Sequence, residues 1–136
     1  MNIVIDGNVF ISALIKDSLA RNIILKSDNI FIFPEFEFQE IYKYKEDIQK
    51  KSGYSEIEFI KMISFLLKNM KIVTYEEICN HYDKAGEIMD KIDHDDAVFI
   101  ATALAFNAII WSDDTHFKKQ NRIKSLTTEE MKNYSK

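Results

Sequence analysis

Acidic side chains at four places along the chain could act together on a phosphate ester. They are Asp6; Glu40; Asp93, Asp95 and Asp96; and Asp113 and Asp114. Carboxylates packed without a cation repel one another and raise each other's pKa. Stability alone does not select such a group. Mg2+ or Mn2+ explains it, since both prefer hard oxygen ligands and Mg2+ keeps several waters. A carboxylate–water–metal site with open positions polarises a phosphoryl oxygen and activates water for phosphodiester cleavage.

The elements around these acids decide whether they meet. Asn2-Ile3-Val4-Ile5 is a short apolar run that suits a strand buried on both faces, and it stops at Asp6. Asp6-Gly7-Asn8 is turn-like, and Asn8 is expected to cap a helix over 9–16. A helix over 17–26 and a strand over 29–33 follow. Pro34 suits the first turn of a helix expected over 35–51, which Gly53 ends. Ser55 with Glu58 and Thr74 with Glu77 have the form of capping boxes. They open helices on either side of a short strand over 71–73, and the second is expected to run to 91. Asp93 or Asp95 caps a nearly all-apolar, buried helix over 96–105. Ala108-Ile109-Ile110-Trp111 reads as a strand, and a weak strand near Ile123 precedes a short helix opened by Thr127 and Glu130.

Strands alternating with helices imply parallel β–α–β units. The expected fold is α/β, a three-layer α/β/α sandwich on a parallel sheet of about five strands. Ligands bind such sheets at the carboxyl ends of the strands. Asp6 and Asp113-Asp114 each close a strand, so they share that edge. The helix after Asp96 leads into the second of these strands and starts on the same edge. Glu40, in the first turns after Pro34, lies near it too, with Glu37 as its rival one turn earlier. Each acid also has a plainer reading. Asp93, Asp95 and Asp96 can cap a helix and favour its dipole, and Asp113-Asp114 can be an ordinary turn.

Composition narrows the classes. The chain has 136 residues and a net charge of -4. That length suits a single domain over 1–136. With 46% hydrophobic residues, 3 Gly and 1 Pro, it can bury a core and is not a disordered chain. A lone Cys79 leaves no internal disulfide and no cysteine-rich zinc site, so a cytoplasmic location is expected. No signal peptide is expected, since Met1 runs into a short apolar segment that Asp6 ends. No apolar stretch reaches the ~20 residues of a membrane span. The acidity argues against a nonspecific DNA coat protein, but a metal-neutralised acid cluster leaves room for a nucleic-acid substrate.

Ile3-Val4-Ile5-Asp6-Gly7-Asn8-Val9-Phe10-Ile11-Ser12-Ala13-Leu14 resembles the opening of the PIN domain family, which includes VapC-type toxins of toxin–antitoxin pairs. Glu40-Ile41 is similar to that family's Glu-plus-apolar pair after the second strand. Asp96-Ala97-Val98-Phe99-Ile100-Ala101-Thr102-Ala103-Leu104 is similar to its Asp before an Ala-rich helix. Ser112-Asp113-Asp114-Thr115-His116-Phe117 resembles its closing motif. The four motifs stand in the family's order and cover nearly the whole chain. Gly7 departs from the usual Thr or Ser. His116 stands where many members carry another Asp, which bears on a second metal position.

The resemblance implies a Mg2+- or Mn2+-dependent endoribonuclease that cleaves in line and leaves a 5′-phosphate. Asp6, Glu40, Asp96 and Asp114 would be the catalytic metal ligands, with Asp93 and Asp113 as further candidates. Asn8 and Ser112 would hold the carboxylates in place. RNA would be the substrate, and a cognate antitoxin and a second copy of the chain are the expected partners. No membrane is expected.

Other residues have weaker claims. Lys118, Lys119, Arg122 and Lys124 follow the last acid motif and could grip phosphates. Lys16 and Arg21 are lesser candidates, and a charged run is also an ordinary solvated surface. Phe31, Phe33, Phe36 and Phe38 could stack bases but suit a core better. His94 and His116 fit surface or capping roles, and Cys79 and Trp111 fit buried packing. Two other classes compete. A phosphoacceptor receiver would need an acid pair after the first strand and an acceptor Asp after the third, where Thr74 stands. A non-catalytic PIN-fold module binding RNA or protein is the alternative, with His116 its main support.

Overall fold

A computed structural model describes residues 1–89 and 96–134. Five strands form one parallel sheet in the order β3-β2-β1-β4-β5. They are β1 (Asn2–Ile5), β2 (Ile30–Pro34), β3 (Met70–Val73), β4 (Ile109–Trp111) and β5 (Ser125–Leu126). The side-chain alternation of a strand sends Ile3, Ile5, Phe31, Phe33 and Trp111 to one face and Val4, Ile32 and Ile110 to the other. Both faces are buried, which is why these strands read as unbroken apolar runs.

The first face is covered by α1 (Gly7–Ile15), α2 (Leu19–Lys26), α3 (Phe38–Lys43), α4 (Lys45–Ser52), α5 (Glu56–Leu67) and, after β5, α9 (Thr128–Tyr134). The second face carries α6 (Tyr75–Ile78), α7 (Tyr82–Met89) and α8 (Ala97–Phe106). α8 buries every residue from Ala97 to Ala103, so it needs no amphipathic stripe. The expected three-layer sandwich is therefore observed. β1 lies at its centre, with the chain winding outward to β2 and β3 on one side and through β4 to β5 on the other. This reversal is a topological switch point, where open sheets leave a crevice at the strand ends.

Local signals account for most boundaries. Ser55 and Glu58 form the expected capping box, with bonds of 2.9 and 3.2 Å in the two directions. Thr127 and Glu130 do the same. Thr74 N–H donates to the Glu77 carboxylate at 3.2 Å. α4 ends at Gly53, whose φ of 77° is readily adopted without a Cβ.

Several expectations need correction. The cap of α1 is Asp6, which accepts from Asn8 N–H, rather than Asn8 itself. The helix expected over 35–51 is a 3-10 turn (Glu35–Glu37) followed by α3 and α4, separated at Tyr44. Tyr44 N–H bonds to Ile41 O, a tighter i to i−3 contact. The buried Ile41 and Ile48 keep a seven-residue spacing across this break, so the apolar pattern carries no trace of it. The helix expected from 74 to 91 is likewise split by a 3-10 turn (Cys79–His81), and residues 90–91 lie outside those described. The weak strand expected near Ile123 is β5, two residues farther on, and Ile123 itself packs half-buried against the core of the second face. Cys79 is half-buried rather than buried.

Candidate metal and catalytic site

Asp6 leaves the end of β1 and is held at the switch point by the neighbouring strand. Its amide donates to Trp111 O at 3.0 Å. Its carboxylate accepts from the Ser112 hydroxyl at 2.5 Å and from Asn8 N–H at 3.3 Å. Asp6 is only 6% exposed and Ser112 is fully buried. Burial pushes the Asp6 carboxyl above its ordinary range, against the lowering effect of Ser112, and the Asp114 charge adds to the rise. Ser112, expected to support the carboxylates, is thus in direct contact with Asp6. Asn8 supports Asp6 through its backbone amide, while its side chain is exposed.

The three residues after β4 diverge. Ser112 turns inward to Asp6, and its oxygen accepts from Asp114 N–H at 3.0 Å. Asp114 caps the next 3-10 turn (Thr115–Lys119), accepting from His116 N–H at 2.9 Å. Asp113 turns the other way. It accepts from Thr128 N–H at 2.7 Å and from Thr128 O–H at 2.6 Å. Asp113, expected as a further metal candidate, is therefore the partner of the α9 N-terminus. Alternation along the extended segment after β4 separates it from its neighbours.

Asp96, at the start of α8, faces this group. His116 Nδ1 stands 3.5 Å from Asp96 Oδ2 and 3.4 Å from Asp114 Oδ1. Asp96, Asp114 and His116 each offer one donor atom, and these atoms lie within 4.8 Å of one another. That set of two carboxylates and an imidazole suits a divalent cation. His116 was expected to be a surface or capping residue, and the structure instead gathers it with the acids. The sequence signals for this were its position two residues after Asp114 and its place where many members of the family it resembles carry another Asp. Asp93, Asp95 and His94 lie outside the described residues.

Asp6 and Asp96 also line an open depression of about 680 Å³ with Glu37, Glu40, Lys43, Phe36 and Tyr44. The two glutamates differ. Glu37 is buried at 8% exposure, and its Oε2 lies 3.6 Å from where a Cβ on Gly7 would sit. Glu40 is half-exposed and pairs with Lys43 at 3.0 Å. The 3-10 turn at Glu35–Glu37 carries the nearer acid inward and leaves the later one on the rim.

The basic residues divide in the same way. Lys118 bonds to Glu130 at 2.7 Å and to Ser125 O at 2.9 Å, and Lys124 lies 4.9 Å over the Tyr134 ring. Lys119 and Arg122 are exposed. Lys118, Arg122 and Lys124 line a second depression that shares no lining residue with the first. Arg21 is taken up structurally, donating to Ala13 O and Leu14 O at the end of α1 and to the Tyr54 hydroxyl. Among the described residues, cations near the acids include Lys43 at the rim, and Lys16 and Lys51 in a neighbouring depression that shares Asn8 and Ile11. Lys43 and Lys51 escaped the sequence reading, because only the fold brings α3 and α4 beside Asn8. Phe31, Phe33 and Phe38 pack in the core as expected. Phe36 is 59% exposed at the rim of the acid depression.

The PIN domain family model matches residues 4–136. Two solved structures share the fold. A chain in the crystal structure of VapBC2 from Rickettsia felis, bound to a DNA fragment from their promoter, aligns with a TM-score of 0.71 at 16% identity, over 93% of this chain and 98% of that one. A chain in the structure of VapBC-1 from nontypeable Haemophilus influenzae aligns with a TM-score of 0.67 at 18% identity, over 95% and 99%. No curated protein sequence matches significantly.

Proposed function

The chain belongs to the PIN domain family, and on that premise we propose that it is a divalent-metal-dependent endoribonuclease acting as the toxin of a toxin–antitoxin pair. One observation carries the reading. Asp6, Asp96 and Asp114, from three distant segments, converge at the switch point of the sheet. A buried carboxylate beside a second carboxylate is unfavourable without a cation to offset it.

Mg2+ or Mn2+, when bound, supplies Lewis acidity toward a phosphoryl oxygen and an acidified water. Asp6, Asp96 and Asp114 would hold the ion together with one glutamate. Glu40 keeps the role that the motif assigns it, since it lines the depression, where it pairs with Lys43. Glu37 competes through its burial beside Gly7. Ser112 fixes the Asp6 carboxylate and, through Asp114 N–H, the turn that carries Asp114. Lys43, Lys16 and Lys51 attract the RNA backbone close to the acids, and Lys119 and Arg122 do so farther along.

The partner reading draws on the paired VapBC products named for the two similar structures. An antitoxin and a second copy of this chain are the expected partners. The cytoplasm, where RNA targets occur, is the expected location. No helix among the described residues is long and apolar enough to cross a membrane.

The test is calorimetric titration of Mn2+ into the wild type and the Asp6→Asn, Asp96→Asn double variant, followed by incubation with a mixed RNA pool. Binding that the double variant loses, with metal-dependent cuts leaving 5′-phosphates, is expected. A folded wild type that binds no metal would sink the catalytic reading in favour of a binding module. Single Glu37→Gln and Glu40→Gln variants identify the fourth ligand by which of them loses cleavage.

A further inference from the structure

We propose that His116 is a nitrogen ligand of this metal site and biases it toward Mn2+ over Mg2+. The inference rests on the metal-dependent reading above. His116 Nδ1 is 3.4 Å from Asp114 Oδ1 and 3.5 Å from Asp96 Oδ2. Two donors on one ion, each at about 2.1 Å, stand roughly 3.0–3.4 Å apart at octahedral or tetrahedral angles. The imidazole nitrogen therefore already stands at about the spacing of two donors on one ion from each carboxylate oxygen, and the three donor atoms lie within 4.8 Å of one another. The backbone already sets this arrangement. His116 N–H is tied to Asp114, Asp114 N–H to Ser112, and the Ser112 hydroxyl to Asp6. The ring thus projects from the same bonded turn that carries Asp114 and is tied to Asp6.

The chemistry of the donor follows from its softness. Carboxylate and water oxygens suit Mg2+ and Mn2+ alike, whereas imidazole suits the transition metals. A nitrogen in place of a hard oxygen costs Mg2+ more than Mn2+. A neutral imidazole also leaves the site with one negative charge fewer than an Asp at position 116 would, which weakens the purely electrostatic hold on Mg2+.

Pulsed electron paramagnetic resonance of the Mn2+-loaded full chain tests the ligand directly. The wild type is expected to show a 14N coupling to Mn2+. Labelling the histidines with 15N should convert it to a 15N coupling, and His116→Asp should abolish it. In calorimetry, the ratio of Mn2+ to Mg2+ affinity should fall in His116→Asp. Mn2+ binding by His116→Ala should weaken by at least the roughly tenfold that loss of even a ligand-supporting partner costs. The labelling arm uses the wild type alone, so the proposal stays testable if a variant does not fold. Mn2+ bound without nitrogen coupling, or a coupling that survives in folded His116→Asp, would overturn the inference and leave the metal-dependent reading standing. A folded wild type that binds no Mn2+ would overturn both.

Discussion

Asp6 carries a desolvation cost that its hydrogen bonds with Ser112 and the Asn8 amide offset only in part. Its carboxyl is buried, and its pKa is raised above 3.8 chiefly by desolvation, with Ser112 opposing and Asp114 adding to the rise. A group that binds its proton more tightly when folded stabilises the fold most at low pH. That stability is lost as pH rises through the raised value. Above that raised value the ionised Asp6 therefore weakens the metal-free protein. Asp6→Asn is expected to raise the melting temperature of the metal-free chain at pH 7. The gap should close as pH falls into the carboxylate range, and the same variant should lose the Mn2+-induced rise in melting temperature. A pH series of thermal melts, with and without Mn2+, checks all three. Asp6 and Asp114 were both readable as strand-ending acids. The opposite destinations of Asp113 and Asp114 were not, because adjacent residues of one sequence motif differ only in which side of the extended backbone they take.

The segment from β4 to α9 works as a unit at the scale of elements. Trp111 Nε1–H donates to the Thr128 hydroxyl at 2.9 Å, and that hydroxyl donates to Asp113. Lys118 reaches from the 3-10 turn to Glu130 in the first turn of α9. Lys118, and then the Thr127 amide, hold the Glu130 carboxyl down to about 2. A depressed carboxyl stabilises the fold above its unfolded pKa, and that contribution is lost as pH falls from the ordinary value of 4.5 toward about 2. Glu130→Gln should thus lower the urea midpoint at pH 7, by an amount that shrinks at pH 3 and in high salt. Both side chains are exposed, so solvent screening keeps the effect of the pair small. Lys118→Met should reproduce the loss, whereas a lysine used only to grip RNA would leave the midpoint unchanged. The capping boxes of this segment and of α5 were legible because three-residue spacing is a local property. The breaks at Tyr44 and Cys79 were not, since short i to i−3 turns preserve the apolar spacing on either side.

The sheet is the shared wall of two cores in the whole molecule. Phe10, stacked on Phe33 at 4.7 Å between ring centroids, fills one face, and Ile100 fills the other. If residues 1–136 fold as a single domain, both faces must melt together. Phe10→Ala should cost about 3–5 kcal/mol and Ile100→Ala about 2–5 kcal/mol. Each should shift a single urea transition that fluorescence and circular dichroism report alike, and two separated transitions would refute the single domain. By itself the sequence determined the parallel α/β architecture, the order of its motifs and the strand-end acids. Apolar runs, capping spacings and the reach of a β–α unit are consequences of local chemistry and chain direction. Tertiary structure decided which glutamate is buried, which acid after β4 faces Asp96, that His116 joins the carboxylates, and which lysines stand beside them. Those outcomes depend on where separate helices lie around the switch point, and residues distant in the chain carry no spacing that records it.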